Sequence, residues 1–209
     1  MSGRSRDSAG FGGSTAAVLL AAGSGSRFGG RKLIAPLAGL PLIQRAIDAA
    51  CGSRALSCVL VLGADAEAVL DCADTRRCAI VCNEAWREGI ASSIRAGLSS
   101  VKESDACIIM LADQPFVSSM DIDGLLQCSA DLYGRPGRPP IVALRAGKTW
   151  GAPVLFPRQD FTALARLTGD AGAKRYAQSQ RRRLRFVTAR DSRAFCDIDS
   201  PSDLRALCG

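Results

Sequence analysis

Seven consecutive apolar residues, Ala16 to Ala22 (AAVLLAA), run straight into a loop with glycines at 23, 25, 29 and 30 and cations at 27, 31 and 32. A short apolar run with no polar alternation is the pattern of a strand buried on both faces. The glycines that follow let the backbone turn tightly and bring its N–H groups within reach of an anion. Arg27, Arg31 and Lys32 add full positive charges to those partial ones. A strand that feeds such a loop predicts a polyphosphate cradle at its carboxyl end.

Two familiar phosphate loops are excluded by spacing. A Walker A loop needs Gly-x4-Gly-Lys-Ser/Thr. Here Gly25-x4-Gly30 is followed by Arg31-Lys32-Leu33, which puts no hydroxyl in place. A dinucleotide fingerprint needs Gly-x-Gly-x-x-Gly and an acidic residue roughly 20 positions on. Gly23, Gly25 and Gly29 are spaced one residue too widely, and the next acidic residue, Asp48, falls inside an expected helix.

The same alternation continues along the chain. Helical spacing of apolar residues over Pro41–Cys51 is followed by an apolar run at Ser57–Leu62, a short helix at Asp65–Cys72 and a run at Ala79–Cys82. Ala91–Val101 reads as a helix, Ala106–Ala112 as a strand ending at Asp113-Gln114-Pro115, and Ser119–Ser129 as a helix. Continuous apolar strands joined by helices predict an α/β fold, a doubly wound, mostly parallel sheet with helices on both faces. Ligands of such sheets bind at the carboxyl ends of the strands, where the glycine loop and Asp113 both fall. Beyond Gly134 the rhythm breaks. Strands are expected at Ile141–Leu144, Val154–Phe156 and Leu184–Thr188, with Gly147–Pro153 as a loop. Helices are expected near Asp160–Leu167 and Asp170–Gln178, and after Ser200-Pro201.

Composition narrows the class. At 209 residues and 47% hydrophobic content the chain suits one domain over residues 16–209, preceded by a Gly/Ser-rich flexible tail over 1–15. No apolar run reaches membrane-spanning length, and the tail has no signal-peptide core. Nine scattered cysteines, odd in number and without a Cys-x-x-Cys, point to reduced thiols in a cytoplasmic protein and away from a zinc site. There is no histidine, which removes the usual general base. The net charge of +7 is concentrated: residues 170–193 carry eight basic residues against Asp170 and Asp191. A solvated basic face, contact with an anionic small substrate and nucleic-acid binding are all open for the run around Arg181 to Arg185. Nucleic acid is the weakest of the three, because few stacking aromatics accompany the arginines.

Asp113, just beyond an apolar run, is costly to bury unless it is paired or bound to a metal. Mg²⁺ accepts one or two carboxylates and keeps its other positions for water and phosphate. Asp197 and Asp199 are the candidates for a second carboxylate.

Four stretches then occur in order: Leu19-Leu-Ala-Ala-Gly-Ser-Gly-Ser-Arg-Phe-Gly-Gly-Arg-Lys32; Asn83-x-x-Trp86-x-x-Gly89-x-x-Ser92-Ser93-x-x-x-Gly97-Leu98; Leu111-x-Asp113-Gln114-Pro115; and Asp197-Ile-Asp199-Ser-Pro201-x-Asp203-Leu204. Together they resemble the molybdenum-cofactor nucleotidyltransferases, in particular the cytidylyltransferase branch, from about Ala16 to the C-terminus. The resemblance implies a Rossmann-like sheet of the nucleotide-diphospho-sugar transferase type. It also implies transfer of a nucleotide monophosphate from an NTP, with CTP preferred, to a phosphorylated acceptor, molybdopterin cofactor, with release of pyrophosphate. By the same resemblance Leu20, Ala21, Ala22, Gly23, Ser24, Gly25 and Ser26 bind the nucleotide, with Arg27 and Lys32 on the triphosphate. Ser92 and Ser93 border the base and ribose, and Asp113 with Asp199 or Asp197 holds Mg²⁺. Arg27, Lys32 and Asp113 are then the catalytic residues, and a molybdenum hydroxylase apoprotein is a further partner. The pattern departs at Gly151-Ala152-Pro153, where many of that branch carry Gly-His-Pro near the acceptor. Other readings of the chain are transfer to a different phosphorylated small molecule, or a non-catalytic molybdenum-cofactor accessory role.

Overall fold

The computed structural model describes residues 13–196, 198 and 200–206. Its first strand, β1 (Thr15–Ala21), is buried at every position. A two-stranded ribbon, β2 (Pro36–Leu37) and β3 (Leu40–Pro41), leads into helix α1 (Leu42–Gly52). Then follow β4 (Ser57–Leu62), α2 (Ala66–Cys72), β5 (Cys78–Cys82), α3 (Ile90–Ser100), β6 (Ala106–Leu111) and α4 (Ser119–Asp131). The remainder is β7 (Ile141–Ala146), β8 (Thr149–Pro157), α5 (Phe161–Ala165), α6 (Ala173–Ser179), β9 (Leu184–Thr188) and α7 (Pro201–Ala206).

The main sheet has the order β5-β4-β1-β6-β8-β7-β9. β5, β4, β1 and β6 are parallel, β8 runs antiparallel to both of its neighbours, and β9 is parallel to β7. The expected doubly wound, mostly parallel α/β sheet is therefore present. β1 explains its own composition. Ala17, Leu19 and Ala21 pack toward α1 and α4, whereas Ala16, Val18 and Leu20 pack toward α3 and α5. With a helix layer on each side, neither set can be polar.

Local signals set the element starts. Pro41 precedes the first turn of α1, whose apolar positions 42, 43, 46, 47, 49 and 50 are buried. α4 opens on a capping box: Ser118 Oγ accepts from the Asp121 amide at 3.3 Å, and Asp121 Oδ2 accepts from the Ser118 amide at 2.8 Å.

Two expectations need correction. The segment Gly147–Pro153, expected as a loop, belongs largely to β8, a nine-residue strand joined to β7 by a tight turn at Gly147-Lys148. Gly151 and Pro153 read as strand breakers. Here the β7–β8 register shifts between Ala143 (opposite Val154) and Leu144 (opposite Gly151), so Ala152 and Pro153 occupy an irregularity where the missing proline N–H breaks no ladder bond. Thr15, assigned to the tail, is part of the sheet: β1 starts there, and just before it the Ser14 amide donates to Asp105 Oδ2 at 2.7 Å. Residues 1–12 of the expected tail lie outside the described residues.

Every cysteine among the described residues is a free thiol. Burial pushes the Cys107 thiol up, as befits a small hydrophobe inside β6. Among the described residues no helix is long and apolar enough to cross a membrane.

Candidate active site

The glycine loop leaves the carboxyl end of β1 at the centre of the sheet. Gly25 takes φ 59°, and its carbonyl accepts from the amides of Phe28 (2.9 Å) and Gly30 (3.1 Å), folding the loop back on itself. A Cβ at Gly25 would lie 2.9 Å from the Cβ of Lys32, so glycine is required both by the conformation and by the approach of that lysine. Lys32 begins a 3₁₀ turn over Lys32–Ile34.

Asp113 stands two residues past β6, next to β1, and the Ala112 amide ties that crossover to the Leu20 carbonyl at 3.1 Å. Lys32 Nζ donates to Asp113 Oδ2 at 2.7 Å; their side chains are 12% and 39% exposed. Two groups 81 residues apart in sequence thus meet at one ion pair.

That pair forms a wall shared by two cavities. The first, of about 470 Å³, is lined by Leu20, Ala21, Ala22, Gly23, Ser24, Gly25, Leu33, Trp86, Arg87, Gly89, Ile90, Ser93, Leu111 and Asp170 as well as the pair itself. The second, of about 370 Å³, includes Gln114, Thr149, Trp150, Gly151, Ala152, Lys174, Phe195, Cys196 and Ile198. Both are in the size range of small-molecule sites, and both open at the carboxyl ends of the central parallel strands.

Ser92 and Ser93 lie in the first turn of α3 and are buried. Asn83, at the end of β5, donates through Nδ2 to Ser92 Oγ (2.8 Å) and Ser93 Oγ (3.0 Å) and accepts from the Ala85 amide at 3.1 Å. Ser92 in turn donates to the Gly89 carbonyl at 2.8 Å. Gly89, at φ 98°, packs so closely on Gly169 that a Cβ would fall 2.5 Å from its backbone. Asn83 therefore fixes the edge of the first cavity without lining it. Asn83→Ala is expected to leave two buried hydroxyls without their donor, to cost about 1–3 kcal/mol of stability, and to raise the KM for nucleotide more than it lowers kcat. Thermal unfolding and steady-state kinetics check both parts.

The sequence-derived residues divide into three groups. Leu20 to Gly25, Lys32, Ser93 and Asp113 line the first cavity. Ser26 and Arg27 sit on an exposed 3₁₀ turn outside either lining, and Ser92 stands behind Ser93. Asp197 and Asp199 lie outside the described residues, although Ile198 between them is buried against the second cavity. Sequence reading missed Asn83 as a positioning group and Trp150, Lys174 and Gln114 as cavity walls. A polar residue closing an apolar strand was the available signal for Asn83. Lys174 had none beyond its place in a basic run.

In the second cavity, Lys174 Nζ lies 5.2 Å above the Trp150 ring, which packs edge-on against Phe186 at 5.5 Å. Gln114 Oε1 is buried with no hydrogen-bond partner among the described residues. A site made of an aromatic face, a cation and an unsatisfied acceptor suits a ring-bearing anion with N–H donors.

The basic run resolves into separate parts. Arg183 is internal, forked onto the buried Asp160 with Nη1–Oδ1 at 2.9 Å and Nη2–Oδ2 at 2.7 Å. Arg181, Arg182 and Arg185 are exposed.

A family model described as "MobA-like NTP transferase domain" matches residues 17–184. Among curated proteins the chain is 29% identical over 197 residues, 91% of its own length and 94% of the relative's, to the nicotine blue oxidoreductase of Paenarthrobacter nicotinovorans. Among solved structures, Rv0371c of Mycobacterium tuberculosis superposes with a TM-score of 0.79 at 27% identity, covering 93% of this chain and 97% of that one. A manganese complex of the same protein gives 0.72 at 25% identity, covering 93% and 98%. A nucleotidyl transferase from Methanothermobacter thermautotroptrophicus shares the fold with a TM-score of 0.76 at 21% identity, covering 93% and 96%.

Proposed function

The chain belongs to the MobA-like NTP transferase family, and from that premise we propose that it transfers CMP from CTP to molybdopterin cofactor in the cytoplasm, releasing pyrophosphate in a Mg²⁺-dependent reaction. The observation that carries this reading is the Lys32–Asp113 pair on the wall common to two cavities. One cavity is bounded by the glycine loop and Ser93, and suits a nucleoside triphosphate. The other offers Trp150, Lys174 and the Gln114 oxygen, unpaired among the described residues, which suit a phosphorylated pterin.

The acceptor phosphate is already ionised at neutral pH. One of its oxygens can attack the α-phosphorus directly as the bond to the β-phosphate oxygen breaks and pyrophosphate departs. No proton has to be removed from the nucleophile, which suits a chain without histidine. The protein's part is then positioning and charge neutralisation. Loop amides between Ala21 and Gly25 orient the triphosphate, and Lys32 lies where negative charge accumulates. The Asp113 carboxylate is a hard oxygen donor, partly exposed on the cavity wall, and fits a Mg²⁺ ligand; Asp199 or Asp197 would complete the set. When bound, the ion withdraws charge from the α-phosphate and the leaving pyrophosphate. With the second cavity formed around Ala152, the acceptor is held by stacking and by Lys174. A molybdenum hydroxylase apoprotein is the proposed recipient of the product.

The test is pyrophosphate release with each NTP, Mg²⁺ and molybdopterin. Release that requires both CTP and the pterin is expected, and none with any NTP overturns the reading. Redox turnover of nicotine blue without pyrophosphate release would point instead to the activity named for the P. nicotinovorans relative. Lys174→Ala is expected to raise the acceptor KM by about tenfold, the loss of roughly 1.4 kcal/mol of cation contact, while the KM for CTP stays put. Varying one substrate at saturating levels of the other separates the two.

A further inference from the structure

At the amino ends of β4 and β5, across the sheet from Lys32 and Asp113, three sulfurs converge. Cys51 comes from the last turn of α1, Cys58 from the second position of β4, and Cys78 from the first position of β5. The parallel register sets Cys58 directly opposite Cys78, and their Sγ atoms are 3.6 Å apart. Cys51 Sγ lies 3.7 Å from Cys78 Sγ, and all three sulfurs are within 4.8 Å of one another. Cys58 is buried, and the other two are half-buried, so the cluster is walled on one side and reachable on the other.

We propose that Cys51, Cys58 and Cys78 form a three-sulfur site for a soft d¹⁰ cation of the Zn²⁺ or Cu⁺ class, distinct from any site for a hard cation at the triphosphate. The donor set decides the class. Three sulfurs with no histidine or carboxylate among them select Zn²⁺ or Cu⁺ over Mg²⁺ and Mn²⁺. Distance supports it too. Zn–S bonds of about 2.3 Å in a tetrahedron place sulfurs about 3.8 Å apart, so two of the three edges already have the right length. A tris-thiolate Zn²⁺ unit carries one net negative charge, and Arg77, whose guanidinium donates to the Cys51 carbonyl, lies beside it to offset that charge. The fourth Zn²⁺ position would be left to solvent on the half-buried side.

Bound metal would tie the end of α1 to the starts of two edge-side strands, and binding to the native state alone raises stability. Local spacing conceals the site. The three cysteines belong to no Cys-x-x-Cys pair, and only the α1–β4 turn and the β4–β5 register bring them together.

The experiment uses reduced, metal-free full-length protein titrated anaerobically with Cd²⁺, followed by the ultraviolet sulfur-to-cadmium charge-transfer band. Saturation at one equivalent, displacement by Zn²⁺ and a higher Tm with Zn²⁺ are expected. The band should vanish in Cys78→Ser and Cys51→Ser and persist in Cys72→Ser and Cys82→Ser, whose thiols lie on the surface elsewhere. Zn²⁺ should also protect Cys51 and Cys78 of the unmutated protein from alkylation, read by peptide mass, which needs no variant to fold. No band at excess Cd²⁺, a band that survives both site variants, or alkylation indifferent to Zn²⁺ would each overturn the proposal. Pyrophosphate release does not enter any of these readouts, so the site and the nucleotidyl-transfer reading stand or fall separately.

Discussion

Lys32→Ala is expected to lower kcat for nucleotidyl transfer by about 10²–10³-fold, the loss that follows removal of one preorganised group at a developing charge. The lysine ammonium is only 12% exposed and is held 2.7 Å from Asp113 at the junction of both cavities. A charge there meets little competing water, so under the proposed reading it would act on bound phosphates at a strength that a surface lysine could not. The fold should be nearly indifferent. The partner carboxylate is 39% exposed, and pairs with such access to solvent contribute at most about 1 kcal/mol. Lys32→Arg should rescue only partly, because a planar fork replaces a compact point charge where the side chain leaves close against the backbone of Gly25. Asp113→Asn should give a loss of similar size, accompanied by a rise in the Mg²⁺ concentration needed for half-maximal rate. If the two residues act as one unit, the double variant will be hardly slower than the worse single one. Full activity in Lys32→Ala, with a normal unfolding transition, would remove the lysine from the chemistry.

Why Lys32 and Asp113 could be picked from the chain, while Asn83 and Lys174 could not, follows from how each signal is written. Strands β1, β4 and β6 lie inside the sheet, so both of their faces are apolar and their borders are sharp. A glycine loop or an aspartate just past such a border is automatically at the ligand-binding end of a parallel sheet. β8 broke the pattern because its Gly151 and Pro153 sit in a register shift created by β7, a partner that no local window contains. Asn83 closes β5 in the manner that Asp113 follows β6, yet its role depends on the hydroxyls of Ser92 and Ser93 arriving from α3. The second cavity is assembled from β6, β8, α6 and the segment before Ile198, so its chemistry is a product of packing alone. The cysteines are the extreme case: their composition pointed to reduced thiols, and their convergence is purely tertiary. Arginines 181, 182 and 183 are indistinguishable in sequence, although only Arg183 is largely withdrawn from solvent against a buried carboxylate.

That distinction can be measured as stability. Asp160→Ala is expected to cost about 3–5 kcal/mol, because it strands the Arg183 guanidinium, 11% exposed, without its counter-charge. In a chain of this length that lowers Tm by roughly 10 °C. The carboxylate also accepts from the Tyr176 hydroxyl at 2.6 Å, while Arg183 donates to the Pro139 carbonyl at 2.8 Å and 3.0 Å. The network therefore joins the turn before α5, helix α6 and the entry to β9, so its loss should loosen the β7–β9 edge first. Arg183→Lys should recover little, since a single ammonium cannot serve Asp160 and Pro139 together. Arg181→Ala and Arg182→Ala, both exposed, should stay within about 0.5 kcal/mol of the unmutated protein. The alkaline limb provides a second readout. Burial, then the Asp160 carboxylate, pushes the Tyr176 phenol from 10.0 up to about 12. Folding thus retains a proton that the unfolded chain releases above pH 10. The associated stability is fully present below pH 10 and is lost as pH rises toward 12. Tyr176→Phe should flatten that limb at a neutral-pH cost of only about 1 kcal/mol, whereas Asp160→Ala should lower stability across the whole range. If Asp160→Ala instead unfolds with the Tm of the unmutated protein, Arg183 belongs with its exposed neighbours and the buried fork is not what holds this edge of the sheet.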